Sequence, residues 1–75
     1  MDKTTALKIL TMRAHDYSWP EIQQRFSQSY SSGKSIREAM RWTGRANNWD
    51  IDWAFPQRTG GGAVSAPSNW KERIT

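Results

Sequence analysis

The segment from Ser32 to Arg45 constrains this chain most, because wound as a helix it divides into a basic side and an apolar side. At ~100° per residue, Lys34, Arg41 and Arg45 fall within about 20° of one line, with Arg37 about 60° to one side and Glu38 about 40° to the other. Ile36, Ala39, Met40 and Thr43 gather opposite. Such a helix rests its apolar stripe on a scaffold and turns fixed cations toward water or toward a polyanion. Both readings of the basic side, solvated surface and nucleic-acid surface, stay open on this helix alone.

The scaffold is written upstream. Between Thr5 and His15, Ala6, Leu7, Leu10 and Ala14 recur at helical spacing, with Ile9 at the edge and Lys8, Thr11 and Arg13 turned outward. Ser18, Trp19, Pro20 and Glu21 then form an S-x-x-E capping box with proline in the first turn, where its missing N–H is harmless. A second helix follows to about Phe26, with Trp19, Ile22 and Phe26 inward and Gln23, Gln24 and Arg25 wet. After the polar stretch Ser27–Ser32, anchored by Tyr30, Ser32 caps a third helix that ends at Thr43 and Gly44, glycine suiting the left-handed position beyond a helix. The expected fold is mainly α, a trihelical helix-turn-helix bundle cored by Leu7, Leu10, Ala14, Trp19, Ile22, Phe26, Ile36 and Met40, with a Trp-rich C-terminal extension.

The chain divides at about residue 45. Residues 1–45 carry eight Lys and Arg against four Asp and Glu, and the remainder carries three of each, so the net charge of +4 lies wholly in the first part. That part, 1–45, is the expected binding domain. In 46–56, Trp49, Ile51, Trp53 and Phe55 alternate with Asp50, Asp52 and Ala54, the period of a half-buried strand. Gly60–Gly62 could turn Ala63–Ala66 back as the second strand of a short wing. The rival reading of 57–75, rich in Gly, Ser, Pro and Thr, is a flexible tail.

Seventy-five residues suffice for one small domain and leave little room for a deep substrate cavity. The absence of cysteine excludes disulfides and thiolate metal sites. No stretch has the length of a signal peptide's apolar run or a membrane span, so the chain reads as a soluble, cytoplasmic protein with no membrane association. The helix start near Met1 reads as a natural beginning, and Lys71–Thr75 as a boundary within something longer.

Leu10, Thr11, Met12, Arg13, Ala14, His15, Asp16, Tyr17, Ser18, Trp19, Pro20, Glu21 and Ile22, in that order, resemble the opening of the homeodomain-like helix-turn-helix of resolvase-type and Myb-like DNA-binding domains. Ser32, Gly33, Lys34, Ser35, Ile36, Arg37, Glu38, Ala39 and Met40 look like the family's recognition helix, and the likeness spans about half the chain, from Ala6 to Trp42. Asp16 stands where the family usually has glycine, which demands a left-handed or Asx geometry there. The turn over Ser27–Ser31 is a residue or two longer than the family turn.

The resemblance implies that the second helix crosses the backbone of double-stranded DNA while the third enters the major groove. Arg37 is then the first choice for reading a guanine edge, with Lys34 and Ser35 next, and Glu38 able to accept from cytosine or to pair with Lys34 or Arg41. Arg25, Ser31, Ser32, Arg41 and Arg45 would hold phosphates. A unit of this size implies a homodimer on paired half-sites or a further domain.

Other motifs lead nowhere. Gly33-Lys34-Ser35 matches the end of a P-loop, but Gln28 occupies the required upstream glycine. His15, Asp50 and Asp52 could bind a metal in principle, yet two alternating carboxylates on a strand more often mark its wet face. No cofactor and no catalysis are expected. Five tryptophans are harder to dismiss: Trp42, Trp49, Trp53 and Phe55 would make an exposed aromatic strip unless the bundle covers it. Uncovered, the strip would serve self-association or a protein partner, or stack on single-stranded bases. The expected function is that of a small transcriptional regulator. The alternatives are a module that regulates a polymerase or other enzyme through the strip, and the DNA-targeting domain of a recombinase or transposase.

Overall fold

Three helices carry the fold: α1 (Lys3–Ala14), α2 (Trp19–Arg25) and α3 (Gly33–Asn47). They are followed by single 3₁₀ turns at Asp52–Ala54 and Glu72–Ile74. The computed structural model describes residues 1–55 and 66–74. The architecture is the expected trihelical bundle, in which α3 packs most extensively on α2 and also on α1.

Each helix starts where the sequence places a cap. Asp2 accepts from the Thr5 amide at 2.8 Å, and the Ser18–Glu21 box closes in both directions, Glu21 N–H to Ser18 Oγ at 3.3 Å and Ser18 N–H to Glu21 Oε1 at 3.2 Å. At the start of α3, Ser35 completes a second reciprocal box with Ser32. The ends of α1 and α3 share one device. Asp16 and Asn48 adopt left-handed φ values of 67° and 57°. The amides that follow reach back to close each helix, Tyr17 to Met12 O at 3.0 Å and Trp49 to Gly44 O at 2.8 Å. Asp16 thus takes the left-handed geometry expected of it.

Two helix readings need correction. α1 is turned so that Ala6, Ile9, Leu10 and Arg13 face the core, while Leu7 is 40% exposed. Arg13, expected outward, is buried. α3 runs through Gly44 to Asn47, so Gly44 is an interior helix residue and Asn48 takes the left-handed position. Glycine at 44 leaves room for a neighbour: a Cβ there would lie 2.8 Å from Cδ1 of Ile51, which would have to shift. Ile51 fills the notch instead.

The extension is not a strand, and no strand occurs among the described residues. Ile51, Ala54 and Phe55 have the i, i+3, i+4 spacing of a helical turn, and winding Asp52–Ala54 as a 3₁₀ turn buries all three. A lone strand would have left its amides without a partner. The expected boundary between 1–45 and 46–56 therefore dissolves, since Ile51, Ala54 and Phe55 belong to the same core as Ile9, Ile22 and Met40. The expected flexible tail is corrected over 66–74, where Trp70 and Ile74 also join that core. The return strand over 63–66 falls almost wholly outside the described residues.

Candidate nucleic-acid interface

The basic side of α3 is where the pattern predicts it. Ile36, Met40, Thr43 and Gly44 are buried, whereas Lys34, Glu38, Arg41, Trp42 and Arg45 are exposed and Ser35 and Arg37 half-buried. Thr43 sits comfortably inside because its hydroxyl donates to Ala39 O at 2.8 Å. The two ends of this surface differ in chemistry.

At the N-terminal end, Lys34 and Glu38 project freely enough to meet a ligand. Arg37 lies back toward the start of the helix, its Nη1 only 3.1 Å from the place a Gly33 Cβ would occupy, so the bare glycine makes room for the guanidinium. The Ser35 hydroxyl donates to Ser32 O at 2.9 Å and its oxygen accepts from Ser32 N–H at 3.3 Å, which engages Ser35 in the cap. Ser32 Oγ is likewise engaged, accepting from Ser35 N–H at 3.1 Å. Ser31 is exposed beside it.

At the C-terminal end the cations sit on aromatic rings. Arg41 Cζ lies 4.5 Å from the Phe55 ring centroid and Arg45 Cζ 5.6 Å from that of Trp42. Both arginines line an open cleft of about 440 Å³ together with Trp49, Asp50, Asp52 and Phe55. The two carboxylates offset the arginines on that flank, while Asp50 also holds Arg73 at 2.9 Å.

Arg25, expected as a phosphate contact, stands over the Tyr17 ring at 5.2 Å and lines a hollow with α1 residues, away from the α3 surface. The turn from α2 to α3 occupies residues 26–32. It is longer than the three to four residues usual in a helix-turn-helix, and it is pinned by Tyr30 N–H to Phe26 O at 2.9 Å and Gln23 Nε2 to Tyr30 O at 2.7 Å. Gln23, expected wet, is a turn anchor.

The aromatic strip does not assemble. Trp42 is 68% exposed, but Phe55 is buried and stacks on Trp19 with centroids 5.7 Å apart. Trp53 is half-buried against Trp70 at 5.6 Å, and Trp49 is half-buried in the cleft. A strand would have put Trp49, Trp53 and Phe55 on one face, whereas the 3₁₀ turn sends them in different directions.

The polar centre that sequence reasoning missed is the Ala54 carbonyl. It accepts from Arg13 Nε at 2.7 Å and from Trp19 Nε1 at 3.1 Å, both buried, while Arg13 Nη1 donates to Tyr17 O at 2.7 Å. The guanidinium also lies 5.1 Å from the Trp19 ring. Burial pushes the Arg13 guanidinium below its ordinary range, against the pull of Asp16. The signal was present, since Arg13 continues the spacing of Ala6, Ile9 and Leu10.

No group of three or more His, Cys, Asp or Glu residues that could hold a metal ion occurs among the described residues, and none of their helices is long and apolar enough to cross a membrane. Comparison with protein-family models, curated protein sequences and solved structures finds no match.

Proposed function

We propose that this protein binds double-stranded DNA sequence-specifically, with α3 in the major groove and α2 crossing the backbone. The observation that carries the reading is the segregation of α3, whose exposed Lys34, Arg41 and Arg45 share one side while Ile36 and Met40 are wholly buried on the other. Lys34, Glu38 and a swung-out Arg37 are the base readers. Arg41 and Arg45 are the phosphate contacts, held ready by the rings of Phe55 and Trp42. Ser31 and Ser32 flank the helix start, where amides and phosphates meet readily. The activity is binding without catalysis, and pairing of two copies on adjacent half-sites supplies the affinity one small unit lacks. A small regulator of transcription fits this description. The long α2–α3 turn makes the seating of α3 particular to this chain.

Selection from a random duplex library at two salt concentrations tests the reading. A specific reader enriches one motif at both. Arg37→Ala then weakens that site by about 1–3 kcal/mol and relaxes its preference, whereas Arg41→Ala weakens all sequences alike and flattens the salt slope by about one. Absence of an enriched motif, together with binding indifferent to salt, would refute it.

A further inference from the structure

The outward side of α1 presents a surface that the α3 reading does not use. Two adjoining hollows, of about 680 and 390 Å³, share Leu7 and Thr11. Their apolar lining is Leu7, Met12, Phe26, Trp70 and Ile74. Lys8, Arg25 and Lys71 complete it, all three exposed, and no acidic side chain lines either hollow among the described residues. Arg25 and Lys71 are steadied over aromatic rings, at 5.2 Å from Tyr17 and 5.7 Å from Trp70. No α3 residue takes part.

We propose that this groove docks an acidic amphipathic helix of a partner protein. An apolar floor of this kind takes side chains spaced i, i+3, i+4 and i+7 along one helix face. Three cations in a lining that holds no carboxylate, with Asp2 near Lys8 and Glu21 near Arg25 outside it, select acidic residues beside those anchors, through faster encounter and rejection of basic competitors. Charge argues against a second copy of the chain: a two-fold contact sets the same patch against itself and would oppose Lys8, Arg25 and Lys71 to their own counterparts. Duplex DNA is a poor occupant because its phosphates gain nothing from Leu7, Trp70 and Ile74. Docking here leaves α3 free, so the groove would couple an acidic partner to whatever α3 holds, and the proposal does not rest on the DNA reading.

The test uses the full chain and a fluorescein-labelled synthetic helix with Leu at the i, i+3, i+4 and i+7 positions and Glu elsewhere, read by fluorescence polarisation against its Lys-for-Glu counterpart. The acidic peptide should bind at least about tenfold tighter than the basic one. The exposed double substitution Lys8→Glu/Lys71→Glu should reverse that order, and Leu7→Ala should weaken the acidic peptide by about tenfold with unchanged circular dichroism. Equal binding of the two peptides, indifference to these substitutions, or loss of binding on Arg41→Ala would overturn the proposal, the last by showing mere polyanion capture at α3. A Leu7-dependent dimer by sedimentation, or preferential capture by phosphatidylglycerol vesicles, would overturn it in favour of self-association or a lipid surface.

Discussion

α1 and α3 are helices of 12 and 15 residues in one small core, yet they treat their arginines in opposite ways. α3 turns Arg41 and Arg45 outward and keeps its buried stripe free of charge. α1 turns Arg13 inward to 2% exposure and binds the C-terminal extension through it. A cation's contribution is decided by what completes its hydrogen bonds. Arg13 counts in the net charge but belongs to the architecture, so the surface excess of the first part is smaller than its composition suggests.

The largest expected effect sharpens that contrast. Arg13→Ala removes the charged donors of both the Ala54 and Tyr17 carbonyls and should cost about 3 kcal/mol in urea unfolding, whereas Arg41→Ala should cost less than about 0.5 kcal/mol. Equal losses would break the comparison. Trp19→Phe keeps the ring against Phe55 but removes the second donor to Ala54 O, for an expected loss of about 1 kcal/mol. Asn48→Ala, at a left-handed φ, should cost about 1 kcal/mol at the end of α3, and Asn48→Gly should match or exceed the parent in thermal midpoint.

The smallest effect is a pH dependence. Hydrogen bonds from Thr5 hold the Asp2 carboxyl below its ordinary range, and those from Ser18 do the same for Glu21. A folded-state value below the unfolded one stabilises above the ordinary carboxylate range and is lost as pH falls through the folded-state values. The thermal midpoint should therefore be flat through neutral pH and decline in acid, with a shallower decline in Glu21→Gln than in the parent.

How much could be read in advance follows the same contrast. α3 carries its apolar residues on one side, so its phase, its cap at Ser32 and its exposed cations were readable from spacing. α1 carries Ala6, Leu7, Ile9, Leu10, Met12 and Ala14 over much of its circumference, and two stripes about 65° apart both fit. The choice between them was made by a tertiary partner, the Ala54 carbonyl, which lies 41 residues away. Alternation in Trp49–Phe55 was real but shared with a helical-turn spacing, and the Gly44 notch that receives Ile51 left no local mark. For the candidate site, the cations of α3 were readable; the engagement of Ser35 in the cap, the backward lie of Arg37 and the siting of Arg25 beside α1 depend on contacts that spacing does not encode.

The shared Ala54 carbonyl also bears on motion. Because α1 and α2 grip the same oxygen, the turn at Asp52–Ala54 cannot lift from one helix without also leaving the other, and its departure would strand a buried guanidinium. Opening here is all-or-none: in amide hydrogen exchange, the protected amides of α1, α2 and the turn should share one opening free energy, as one cooperative unit whose limits cross the line drawn by charge at residue 45.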